Sequence, residues 1–156
     1  MFNRIILDLD NVLRDTQRHI IGNVNEWDEA NRIVEAIEND LTLLCRIPPT
    51  EYLSIVLDNV PRPIQILTCQ HVHWMPYTKM WLDKYLGLTN YECRIVSKIK
   101  DKLGLLKTDD LLVDDYPKFG KYDQIALIDY KYNSNIEAFS RIRTPEELKS
   151  LIDAVY

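Results

Sequence analysis

Two short acidic motifs carry most of the chemistry this sequence could perform. Asp8 and Asp10 stand one residue apart in ILDLDNVLRDT, and Asp114 and Asp115 are adjacent in LLVDDYP. Alternate residues of an extended backbone project to the same side, so the Asp8 and Asp10 carboxylates would crowd and repel each other. That crowding is costly unless a cation or a division of protonation states relieves it. Oxygen ligands brought from two segments suit a hard ion such as Mg²⁺, whose shell is completed by waters and a phosphate group. Each motif alone is also an ordinary turn or helix-cap sequence. Their joint occurrence says more, because PIQILT between them ends in Thr68, whose hydroxyl can hydrogen-bond a phosphoryl oxygen. Lysines at Lys98, Lys102 and Lys107 then precede the acidic pair.

Residues so far apart in sequence need elements that deliver them to one place. Apolar runs rich in Ile, Leu and Val recur at Arg4–Leu9, Pro63–Thr68, Cys93–Ser97, Leu111–Val113 and Ile125–Ile128. They lack alternation, as strands buried on both faces of a parallel sheet do. Between the first two, Trp27, Ala30, Val34, Ile37, Leu41 and Leu44 repeat at three- and four-residue spacing, which predicts one amphipathic helix that ends before Pro48-Pro49. Further helices are expected from Thr50 to Leu57, from Pro76 to Leu86 with Gly87 as its stop, and after the cap sequence Thr144-Pro145-Glu146-Glu147. Alternating buried strands and helices predict an α/β fold, a Rossmann-like open parallel sheet. In such folds ligand sites lie beyond the carboxyl ends of the strands.

The 156 residues allow one domain with at most a small insert. A hydrophobic share of 46% with 28% charged residues fits a folded globule and argues against a disordered or fibrous chain. The net charge of −5 argues against general nucleic-acid binding, although Arg94, Lys98, Lys100, Lys102 and Lys107 could form a local patch for a small anion. Cys45, Cys69 and Cys93 have no paired spacing, so a reducing, cytoplasmic setting is expected rather than a disulfide framework. The apolar run in MFNRIILDLD is too short for a signal peptide, and no stretch approaches a membrane span. His71 and His73 lack a third ligand nearby in the sequence, so a loop bordering the active site is expected there rather than a zinc site.

In order, the motifs Asp8-Leu9-Asp10, Thr68, a lysine within Lys98–Lys107 and Asp114-Asp115 resemble those of the haloacid dehalogenase-like phosphohydrolase superfamily. The segments WMPYTKMWLDKYLG and RIVSKIKDKLGLLKTDDLLVDDYP are similar to its deoxyribonucleotidase, or 5′-nucleotidase type C, branch. One departure is Asn11 where that family usually has Gly, and Asn tolerates left-handed backbone better than other non-glycine residues.

The resemblance implies that Asp8 is a nucleophile forming an aspartyl-phosphate and that Asp10 protonates the leaving oxygen and then activates water. It also implies a Mg²⁺ cofactor held by Asp8, Asp10 through its backbone carbonyl, Asp114 and Asp115. Thr68, with Cys69 and Gln70 after it, would bind the phosphoryl group, and Lys102, or its rivals Lys98 and Lys107, would neutralise charge. Residues 15–60 would form a small helical cap over the site. Arg14, Arg18 and Trp27 are candidates to touch substrate, Trp27 being better explained as helix core, and Tyr130 or Tyr132 could stack on a base. The implied substrate is a nucleoside monophosphate. Competing expectations are a phosphatase for sugar phosphates or nucleic-acid 3′-phosphate ends, and a silent nucleotide-binding module.

Overall fold

A computed structural model describes residues 2–156. Six parallel strands form one open sheet in the order β3-β2-β1-β4-β5-β6. They are β1 (Arg4–Leu7), β2 (Ile64–Cys69), β3 (Tyr91–Val96), β4 (Asp110–Asp114), β5 (Ile125–Ile128) and β6 (Ser140–Ile142). Seven α-helices connect or cover them: α1 (Thr16–Ile21), α2 (Arg32–Asn39), α3 (Leu43–Arg46), α4 (Tyr52–Asn59), α5 (Met75–Leu86), α6 (Asp101–Gly104) and α7 (Pro145–Val155). No helix among the described residues is long and apolar enough to cross a membrane.

Strand composition explains the layering. On one face Ile5, Leu7, Ile64, Ile66, Leu111, Val113, Ala126 and Ile128 pack against apolar residues of α4, α5 and α7. Ile6, Leu67, Leu112 and Ile125 fill the other face, against Phe119 and the half-buried Ile99, Leu103 and Leu106 around α6. Both faces are thus covered, which is why these strands read as continuous apolar runs. Arg4 at the start of β1 pairs bidentately with Asp110 at the start of β4, at 2.7 Å for each bond, and pins these neighbours at the end opposite the acidic motifs.

The structure departs from the sequence reading in one helix, one edge strand and the bounds of the inserted segment. The single helix over residues 27–44 is broken into α2 and α3, because polar side chains near its ends satisfy the backbone in other ways. Asp28 Oδ2 accepts from Ile33 N–H at 2.8 Å while Asn31 takes a left-handed φ of 56°. Asp40 Oδ1 then accepts from both the Thr42 N–H and hydroxyl and closes the far end. The short edge strand β6 has no apolar run to announce it. Helix α4 belongs to the main core through Tyr52, Leu53 and Val56, so within residues 15–60 only the part before α4 stands apart from the sheet. That part has its own small cluster, in which Ile37 and Leu44 pack with Trp74. Helices α5 and α7 start and stop close to expectation, with Gly87 at φ 90° after α5 and Thr144 Oγ1 accepting from Glu147 N–H at 3.2 Å before α7.

Candidate active site

Chain order and strand order diverge at β1: the chain builds outward through β2 and β3, then crosses back to lay β4 on the other side of β1. The crevice at such a switch point lies between the carboxyl ends of the two central strands. Asp8 follows the last residue of β1, and Asp114 is the last residue of β4. The register pairs Leu7 with Val113, and Asp8 N–H donates to Val113 O at 2.9 Å. The two acidic motifs therefore meet at the place where this topology opens a crevice.

Asp8, Asp114 and Asp115 are all buried, and one carboxylate oxygen from each lies within 4.8 Å of the others. The ammonium of Lys102, fully buried, is 2.9 Å from Asp8 Oδ1 and 2.8 Å from Asp114 Oδ2. Of the three candidate lysines, Lys102 is the one at the site, while Lys98 and Lys107 are exposed. Burial pushes the Asp8 carboxyl well above the usual carboxylate range; Lys102 opposes the rise, and Asp114 and Asp115 add to it. Burial and then Asp114 push Asp115 up to about 7, against hydrogen bonds from Tyr132 and Asn11. Burial would lower the pKa of Lys102, but Asp114 and Asp8 outweigh it and the pKa rises. One ammonium does not neutralise three carboxylates, and a hard divalent cation fits the remaining charge and the all-oxygen donor set.

A cavity of about 200 Å³ opens onto this group. Asp8, Asp10, Asn11, Thr68, Cys69, Lys102 and Asp115 line its polar end, and Trp27, Ile33, Val34, Ile37 and Trp74 line an apolar wall. Thr68 Oγ1 is buried there without any hydrogen-bond partner, as is Oε1 of Gln17, another lining residue. An unsatisfied buried hydroxyl costs about 1–3 kcal/mol, so its retention points to a ligand that completes it.

Asp10 lies at the cavity but outside the group of three carboxylates. Its carboxylate accepts from Arg14 Nε at 2.8 Å and Nη2 at 3.1 Å, and from the Thr16 hydroxyl. Arg14, expected to touch substrate, is instead fully buried and absent from the cavity wall. Besides holding Asp10, it sits 5.8 Å from the centre of the Trp81 ring and donates to Thr78 and to the Leu44 carbonyl. Arg18 is also away from the cavity, near Asp15. Gln70 is buried and does not line this cavity; its Oε1 accepts from Thr78 at 2.9 Å, while its Nε2 has no hydrogen-bond partner.

Trp27 precedes α2 rather than lying on its stripe, and it reaches the cavity wall with its ring edge-on to Tyr116 and Tyr132, 5.4 Å from each. Tyr130 and Tyr132 stack on each other at 5.2 Å instead of facing the cavity. Tyr130 donates to the Asn11 carbonyl at 2.7 Å, and Tyr132 donates to Asp115 Oδ2.

Asn11 has a role that its spacing alone did not disclose. It adopts the left-handed φ of 63°, its Nδ2 donates to Asp115 Oδ2 at 3.0 Å, and its Oδ1 accepts from Gln17 N–H at 2.8 Å. A glycine would allow the turn but could not tie Asp115 to the first strand's loop. No protein-family model matches this chain, and no curated protein matches it either.

Proposed function

We propose that this chain is a Mg²⁺-dependent phosphomonoester hydrolase of the haloacid dehalogenase-like kind, acting through an aspartyl-phosphate on Asp8. One observation carries the reading. Three buried carboxylates and a buried lysine converge at a sheet switch point beside a threonine hydroxyl that has no partner. Phosphate chemistry needs each of these groups at one point, and a phosphoryl oxygen would supply the partner that the Thr68 hydroxyl lacks.

Asp8, Asp114 and Asp115, with the backbone carbonyl of Asp10, would hold Mg²⁺. When bound, the ion supplies positive charge that offsets the phosphoryl oxygens against the surrounding carboxylates. Asp8 Oδ1 already accepts from Lys102 and from Leu9 N–H at 2.7 Å, so Oδ2 is the oxygen available for attack. It forms a bond to phosphorus as the bond to the ester oxygen breaks. Asp10 gives that oxygen its proton. A water then attacks the aspartyl-phosphate, Asp10 takes its proton, and phosphate leaves with the Asp8 carboxylate restored. The Thr68 hydroxyl donates to a phosphoryl oxygen, and Lys102 offsets charge that builds on it.

The segment containing α1 to α3 acts as a small cap, because Thr16, Gln17, Trp27, Ile33, Val34 and Ile37 from it line the cavity. Apolar and aromatic walls beside a phosphate end favour a nucleoside monophosphate over a sugar phosphate, and the small volume disfavours a polymer end. The test is phosphate release with Mg²⁺ across nucleoside monophosphates, sugar phosphates and 3′-phosphorylated oligonucleotides, with the highest kcat/KM expected for the first. Nucleotide binding in a calorimeter without release from any substrate would replace this reading with a silent binding module.

A further inference from the structure

At the rim of the cavity, away from the acidic cluster, three exposed side chains from two segments come together. Glu38 lies in the last turn of α2, while His71 and His73 lie just after β2. One ligand atom of each is within 4.8 Å of the other two. His73 Nε2 is 2.8 and 3.1 Å from the two Glu38 oxygens, and the His71 and His73 rings are 5.5 Å apart. The buried Trp74 donates its indole N–H to Glu38 Oε1 at 2.7 Å, which fixes the carboxylate from behind. That bond, with the His73 contact, holds the Glu38 carboxyl below its usual range. An ion pair between His73 and Glu38 accounts for two of these groups, and the His71 ring, packed 5.0 Å from the Trp74 ring, is held within the same reach.

We propose that Glu38, His71 and His73 bind a divalent transition-metal ion, with Zn²⁺ the best fit. Two imidazole nitrogens and one carboxylate oxygen are an established zinc donor set that leaves a fourth position to water. The Trp74 indole plays the supporting part that outer hydrogen bonds play at such sites, orienting a ligand it does not replace. The site differs in kind from the all-oxygen cluster at Asp8, Asp114 and Asp115, so the two sort metals by hardness.

Such an ion would tie two walls of the cavity together. Ile37, next to Glu38, and Trp74, next to His73, both line it. Metal binding at the rim therefore clamps the inserted helices against the loop after β2, and this holds whether or not the chain hydrolyses phosphate esters.

Calorimetric titration of the whole chain with ZnCl₂ in excess Mg²⁺ tests this directly. One zinc equivalent should bind, and His71→Ala and Glu38→Gln should each weaken it at least tenfold, whereas Asp8→Asn should leave it unchanged. At zinc concentrations about 100-fold above Kd the melting temperature should rise by about 5 °C or more, and the rise should vanish in both rim variants. All three ligands are exposed, so circular dichroism of the variants should match the parent. The proposal is overturned if zinc does not bind, if both rim variants bind it as the parent does, or if Asp8→Asn removes it and so places the ion at the acidic cluster.

Discussion

Lys102 Nζ lies 2.9 Å from Asp8 Oδ1 with both side chains buried. Removing the ammonium would leave Asp8 and Asp114 without their shared cation, and breaking a buried pair from one side costs about 3–5 kcal/mol. Lys102→Met should therefore lower stability in urea unfolding by about that amount without Mg²⁺, and by less when Mg²⁺ is saturating. Its kcat should fall by at least about 10²-fold even with Mg²⁺, because a preorganised charge facing the phosphoryl group is gone. Undiminished turnover in a folded Lys102→Met would remove the lysine from the mechanism.

Thr68 separates folding from function more cleanly. Its hydroxyl has no partner in the protein, so Thr68→Val removes an unsatisfied group at nearly constant shape. Thermal stability should hold or rise slightly, while kcat/KM should drop about 10- to 100-fold through loss of one hydrogen bond to a charged phosphoryl oxygen. A stability loss above about 2 kcal/mol would show that the hydroxyl has a structural partner after all.

The carboxylate cluster predicts how pH acts on the chelated protein. In the folded state Asp8 is raised well above the usual range and Asp115 to about 7, against about 4 for an unfolded Asp. Folding therefore takes up protons in this window, so the stability these groups contribute is fully present below about pH 4 and is lost as pH rises through 7. Melting temperatures in EDTA should fall from pH 5 to pH 7.5, and saturating Mg²⁺ should flatten that slope. Asp8→Asn should be more stable than the parent in EDTA and gain less from Mg²⁺. A parent whose EDTA stability climbs with pH over this range would contradict the cluster's electrostatics.

The sheet was legible because strands buried on both faces leave runs such as Ile125–Ile128, and the site because Asp8, Thr68 and Asp114 sit where those runs end. What was hidden depends on partners distant in the chain. Asn11 and Asp115 are bonded across 104 positions, and no local pattern marks the contact. Arg14 looked like a substrate ligand because a cation beside an acidic motif has two possible destinations. Its burial under Trp81 and Leu44 follows from packing of α3 and α5, which local spacing does not encode. The break between α2 and α3 was foreshadowed by Asp40 and Thr42, whose side chains compete with the helix, but the apolar stripe across them masked it. The histidine pair lacked a third ligand only along the chain, since Glu38 arrives from the polar face of α2.

Asp10 is clamped by Arg14 and Thr16 so that its carboxylate faces the cavity while staying outside the group of three. On the proposed mechanism a group so placed transfers protons, and its loss should scale with how much the leaving oxygen needs a proton. With a nucleoside monophosphate, whose leaving alcohol is a strong base, Asp10→Asn should lower kcat by about 10²- to 10⁴-fold. With p-nitrophenyl phosphate the leaving phenolate needs little help, so the first step should survive and the second should not. Rapid mixing should then show a burst of nitrophenolate equal to the enzyme concentration, followed by slow turnover as the aspartyl-phosphate waits for unassisted water. Arg14→Gln should move in the same direction with a smaller loss, because it leaves Asp10 in place but no longer aimed. Equal losses on both substrates with no burst would mean that Asp10 positions rather than transfers, and the acid would have to be sought elsewhere along the cavity wall.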